Sequence, residues 1–95
     1  MRGELLRVLA VAGLLAGPAA GQAPVIEKVE PPGWWKGSTI NPVRLLIRGR
    51  NLAGARAECA RLRCAGLRVN AAGTYAFLDV TIPGAAVPGR YPFTL

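Results

Sequence analysis

The 95-residue chain has no histidine, one serine (Ser38), one methionine, and five acidic residues against twelve basic ones. Without histidine, neither a Ser-His-Asp nor a Cys-His nucleophilic arrangement can be assembled within it. Cys59 and Cys64 are its only soft metal ligands, too few for a zinc site. At this length it holds one small domain at most. The sequence therefore reads as no complete enzyme: no catalytic residue, no metal and no cofactor is expected in it.

What is present begins with a leader-like segment. Arg2 and Arg7 form a short basic region, and the uncharged apolar run Val8 to Ala16 follows, broken by Pro18. The small residues Ala19-Ala20-Gly21-Gln22-Ala23 come next. This layout predicts a cleaved secretory signal peptide over residues 1–23, with cleavage after Ala23 and an alternative after Gly21. The apolar run is shorter than the about 20 residues needed to span a bilayer core, so no stable membrane span is expected. The expected location is exported, periplasmic or secreted, with a mature domain over residues 24–95.

Losing Arg2, Arg7 and Glu4 with the leader lowers the net charge of +7 by a single unit. All basic residues of the mature region except Lys28 and Lys36 are arginine, scattered from Arg44 to Arg90. Their scatter and the lack of any helix-turn-helix, zinc-finger or RNP-type pattern argue against a nucleic-acid partner. A third use of the charge, arginines 44, 48, 50, 56, 61, 63 and 68 against anionic envelope polymers, would reveal itself by steep salt dependence.

Cys59 and Cys64 suit an oxidising compartment, where they can close a small loop as a disulfide. In one straight strand, residues five apart would lie about 16 Å from each other, so a bridge requires a turn near Ala60-Arg61-Leu62. Two reduced thiols are the alternative.

Proline and glycine recur through the mature region, and the runs between them alternate with a period of two, the mark of half-buried strands. Val25 to Val29 is the first, with Val25 and Val29 on one face. In Val43 to Arg48, Val43, Leu45 and Ile47 point inward and both arginines outward. Ala55 to Cys59 and a piece around Leu67-Arg68-Val69 follow, with the stretch between them expected as strand or irregular edge. Ala71-Ala72-Gly73 reads as a hairpin turn leading into Tyr75 to Ile82, where Ala76, Leu78, Val80 and Ile82 share a face and Tyr75 and Phe77 share the other. Pro88-Gly89 turns the chain into Tyr91 to Leu95. Turn signals every eight to twelve residues or so imply an all-β, immunoglobulin-like β-sandwich. Leu95 falls inside a strand pattern, which reads as a C-terminally truncated sandwich, the N-terminal fragment of a longer protein.

Val29-Glu30-Pro31-Pro32-Gly33-Trp34-Trp35-Lys36-Gly37, with the strand before it, resembles the opening of the N-terminal domain of bacterial cyclomaltodextrinases and neopullulanase-like amylases, which typically reads Val-Glu-Pro-Pro-x-Trp-Trp-x-Gly. Asn41-Pro42 and the strand ending Gly49-Arg50-Asn51-Leu52 are similar to the family's next element. Tyr75-Ala76-Phe77-Leu78-Asp79-Val80 resembles its Tyr-Leu-Phe-Leu-Asp-Leu strand, and Pro88-Gly89-Arg90-Tyr91-Pro92-Phe93 its Pro-Gly-x-Phe-Pro turn and strand. The likeness covers nearly all of residues 25–95. It departs at Ser38-Thr39-Ile40 and in the cysteine pair.

The resemblance implies an immunoglobulin-like sandwich preceding an α-amylase-type (β/α)8 barrel that hydrolyses α-1,4 links of cyclodextrins, maltooligosaccharides or pullulan. The implied partners are that catalytic barrel in the same polypeptide, a homodimer partner and an α-glucan. Glycoside hydrolysis needs two carboxylates about 5 to 9 Å apart in a cleft. Those belong to the barrel, and Glu27 and Glu30 are expected to be merely solvated. The candidate carbohydrate or domain-interface residues are Trp34, Trp35, Tyr75 and Phe77. Aromatic faces stack on sugars, but tryptophan is equally at home in cores and interface hot spots. Consecutive strand residues point to opposite faces, so one tryptophan inward and one outward is expected. A free-standing secreted sugar- or protein-binding module is the alternative reading.

Overall fold

Alternation along two central strands organises the molecule. The computed structural model describes residues 5–11 and 22–95. Eight strands are present among them: β1 (Leu5–Val11), β2 (Val25–Glu30), β3 (Gly33–Trp35), β4 (Val43–Arg50), β5 (Glu58–Cys59), β6 (Arg63–Val69), β7 (Tyr75–Thr81) and β8 (Arg90–Thr94). They form two four-stranded sheets, ordered β2-β4-β7-β6 and β3-β1-β8-β5. The chain is an all-β, immunoglobulin-like sandwich, the first sheet matching the A-B-E-D order and β5-β8 matching C-F of the second.

The core lies between the sheets. Val43, Leu45 and Ile47 from β4, and Ala76, Leu78, Val80 and Ile82 along and just beyond β7, are all buried, as their period of two requires. Tyr91, Phe93 and Leu95 close it from the other sheet, and Leu52, Leu62 and Ala86 seal its ends from loops. Burying such side chains is the main favourable term in holding the two sheets together.

The first mature strand departs from its expected phase. A register shift between Ile26 and Lys28 places Ile26, rather than Val25, with Val29 against the core. A bulge inserts one residue and so flips the faces on either side of it. Gly49, opposite Ile26, makes this close approach feasible: a Cβ there would fall onto the Val25 carbonyl.

The stretch expected as a strand from Ala55 is reduced to Glu58–Cys59, whereas β6 begins earlier, at Arg63. β6 is itself irregular between Ala65 and Arg68, around Gly66 at φ 70°. The hairpin turn at Ala71-Ala72-Gly73 has Gly73 at φ 72° and is held by Asn70, whose Oδ1 accepts hydrogen bonds from the Thr74 and Tyr75 amides at 2.9 and 3.0 Å.

The expected leader boundary after Ala23 falls at an exposed residue, while Pro18 and the alternative boundary after Gly21 lie outside the described residues. Leu5–Val11, inside the expected leader, runs parallel to β8 and antiparallel to β3. No helix among the described residues is long and apolar enough to cross a membrane.

Candidate functional site

The outward face of β4 carries Arg44, Leu46 and Arg48, and that of β7 carries Tyr75, Phe77 and Asp79. Antiparallel register sets Leu46 opposite Phe77 and Arg48 opposite Tyr75. On the far side of β7, Arg68 of β6 also stands opposite Phe77. The result is an apolar groove of about 390 Å³ lined by Leu46, Arg68, Val69, Tyr75 and Phe77. Tyr75 and Phe77 are 45% and 44% exposed, so nearly half of each ring is free for contact.

Charge borders this groove. Arg44 Nε and Nη2 donate to Asp79 Oδ1 and Oδ2 at 2.8 and 3.2 Å, a two-pronged pairing. The hydrogen bond from Arg44 holds the Asp79 carboxyl below the usual carboxylate range; desolvation opposes this, and the charges of Arg44 and Arg68 add to it. The same bond raises the Arg44 pKa. The Arg44 guanidinium carbon also sits 5.7 Å from the Phe77 ring centroid, a cation–π distance. Asp79 thereby fixes the Arg44 head beside the aromatic ring.

The two tryptophans occupy a separate place, on β3 in the other sheet. Trp34 packs on the core, and its Nε1 donates to the Ile40 carbonyl at 3.0 Å, closing the loop after β3. Trp35 is 47% exposed, its ring centroid 5.9 Å from that of Trp34 and tilted 60°. One ring is therefore anchor and the other is available. Tyr75 and Phe77 thus share a groove on the outer face of one sheet, while the tryptophans stand on an edge strand of the second.

Cys59 and Cys64 are joined by a disulfide across the turn from β5 to β6, with Cα atoms 6.1 Å apart. It links the two sheets at one edge, beside Arg61, whose guanidinium lies 4.8 Å from the Tyr91 ring centroid. Glu27, expected to be merely solvated, faces Arg48 and Arg50 at 3.6 and 3.2 Å, and Glu30 faces Lys28 at 3.5 Å. The arginines are thus partly neutralised rather than presented as one free cationic strip. Among the described residues, no cluster of three or more His, Cys, Asp or Glu side chains could hold a metal ion.

Leu46 and Arg68 are the groove residues that reading by strand missed. Leu46 had a signal, since it is the one apolar residue on the arginine-bearing face of β4. Arg68 had none, because the bulge in β6 decides which residue faces Phe77.

The groove, the exposed Trp35 and the lack of any paired carboxylate cleft define a contact domain rather than a catalytic one. The family described as "Cyclomaltodextrinase, N-terminal" matches residues 28–95. The chain belongs to that family, whose domains form part of larger glycoside hydrolase polypeptides. Comparison with curated proteins and with solved structures finds no match.

Proposed function

We propose that this chain is the N-terminal accessory domain of an exported glycoside hydrolase that cleaves α-1,4 links of cyclodextrins, maltooligosaccharides or pullulan. The family match over residues 28–95 carries the reading. Hydrolysis belongs to a (β/α)8 barrel outside residues 1–95. The domain's own task is positional, and the Tyr75/Phe77 groove is its docking face toward that barrel or a second subunit. Two half-exposed aromatic rings beside a bidentate Arg44–Asp79 pair suit an interface with an apolar centre and a polar rim. Intact mass of the native polypeptide together with assays on cyclodextrin and pullulan tests the reading. A polypeptide several hundred residues longer that hydrolyses either glucan supports it, and an inert 95-residue product overturns it.

The 47% exposure of Trp35 favours one alternative, a free-standing secreted module that binds sugar or protein. Titration with maltoheptaose separates the two. Saturable quenching of tryptophan fluorescence by the isolated chain supports the module, and an unchanged spectrum supports the positional role.

A further inference from the structure

In an immunoglobulin sandwich the strand beyond F is G, which runs antiparallel to F. Here the neighbour of β8 in that position is β1, taken from the other end of the chain and running parallel to β8. The channel between β8 and β3 thus accepts a strand that the usual order would not place there. β1 is also the sole strand partner of β3 among the described residues, so it holds that half of the sheet together.

The edge that β8 offers to β1 is complete. Pro92 is the one β8 residue without an amide donor, and its carbonyl accepts from Ala60 on the β5 side. In a strand the amide and carbonyl of one residue point to the same side, so Pro92 faces β5, and Gly89, Tyr91 and Phe93 face β1. Arg7 N–H donates to the Gly89 carbonyl at 2.8 Å, in agreement with that phase. Natural edge strands are usually blunted by proline, lysine or a bulge. This one has none of those toward the channel.

We propose that the channel between β8 and β3 is an acceptor site for an extended apolar peptide strand, and that Leu5–Val11 is its resident occupant. Main-chain pairing supplies the affinity, as in other strand-addition complexes. The occupant's sequence, Leu-Leu-Arg-Val-Leu-Ala-Val, has a single charge, and Arg7 is exposed. One consequence rests on the export reading: cleavage after Ala23 frees the occupant and opens the site, so the precursor is the self-complemented form.

The test uses the full chain with Leu9→Pro, which removes an amide that the parallel ladder aims at β8. Amide hydrogen exchange at Tyr91 and Phe93 is expected to accelerate about tenfold or more, with Leu45 and Leu78 unchanged. A synthetic peptide spanning residues 4–12, added in excess, should restore protection, and the same peptide carrying Leu9→Pro should not. Unchanged exchange at Tyr91 and Phe93 in the variant overturns the proposal, as does failure of the native peptide to rescue it. Dimerisation of the variant with β8 protected would assign the site to a second copy and also overturn it. If the native protein carries further residues after Leu95 and its β8 ignores Leu9→Pro, the channel belongs to that continuation and the proposal fails. N-terminal sequencing of the expressed protein reports cleavage separately. An uncleaved chain removes the processing step and leaves the exchange result standing.

Discussion

The Asn41 side chain satisfies both main-chain groups of Ile82: Oδ1 accepts from its amide at 3.0 Å, and Nδ2 donates to its carbonyl at 2.8 Å. Val43 lies opposite Val80 in the β4–β7 ladder, so two steps further along the same register bring Asn41 opposite Ile82. A side-chain amide there does the work of a strand main chain, and the Asn-Pro element acquires a structural meaning. Asn41→Ala should destabilise the domain by about 1 to 3 kcal/mol, because it leaves two partly buried groups unpaired. Asn41→Asp keeps the acceptor and loses the donor, and should fall between. Urea unfolding followed by tryptophan fluorescence checks both.

Neighbours on β7 should separate contact from core. Leu78 is fully buried and Phe77 is 44% exposed. Leu78→Ala is expected to lose about 2 to 5 kcal/mol through the cavity it creates. Phe77→Ala should lose under about 1 kcal/mol in the isolated domain. In the assembled enzyme, however, Phe77→Ala should weaken attachment of the domain to its partner surface, read by limited proteolysis between the two. Equal losses from both substitutions in the isolated chain would place Phe77 in the core and remove the docking face.

Reduction of Cys59–Cys64 tests how much the small loop contributes. For a loop this short, the chain-entropy model gives about 2 kcal/mol. The paired Cys59→Ala, Cys64→Ala variant should therefore unfold at lower urea and still show the native β-sheet spectrum. The residues most affected in hydrogen exchange should be those of β5 and β6, which the bridge connects.

Acid should loosen the Arg44–Asp79 contact in a defined window. The Asp79 pKa is lowered in the folded protein, chiefly by the hydrogen bond from Arg44. A carboxyl depressed on folding contributes stability above its unfolded value and loses it as pH falls through the folded one. The contribution is thus present at neutral pH and fades below about pH 4. Asp79→Asn should flatten that acid slope in thermal melts, and the wild-type difference should shrink at high salt because the pair is solvent-exposed. A variant with an unaltered slope would show that the pair does not couple to folding.

Much of the sandwich was legible in particular residues. Val43, Leu45 and Ile47 alternate with Arg44 and Arg48, and Ala76, Leu78, Val80 and Ile82 alternate with Tyr75, Phe77 and Asp79. A strand between a core and solvent imposes that period, so the two central strands, their inward faces and the outward aromatics follow from local order alone. The Pro-Pro-Gly-Trp-Trp and Asn-Pro elements likewise carried the family.

Tertiary structure decided the rest, because those features depend on partners distant in sequence. A bulge in β2 moved Ile26 to the core in place of Val25, and an irregularity in β6 brought Arg68 opposite Phe77. Local alternation cannot show a one-residue insertion, which is resolved only when the neighbouring strand pairs. Nor could composition show that Leu5–Val11 lies between β8 and β3. An apolar run is equally suited to a leader or a strand, and only an edge with unpaired amides and carbonyls distinguishes the two.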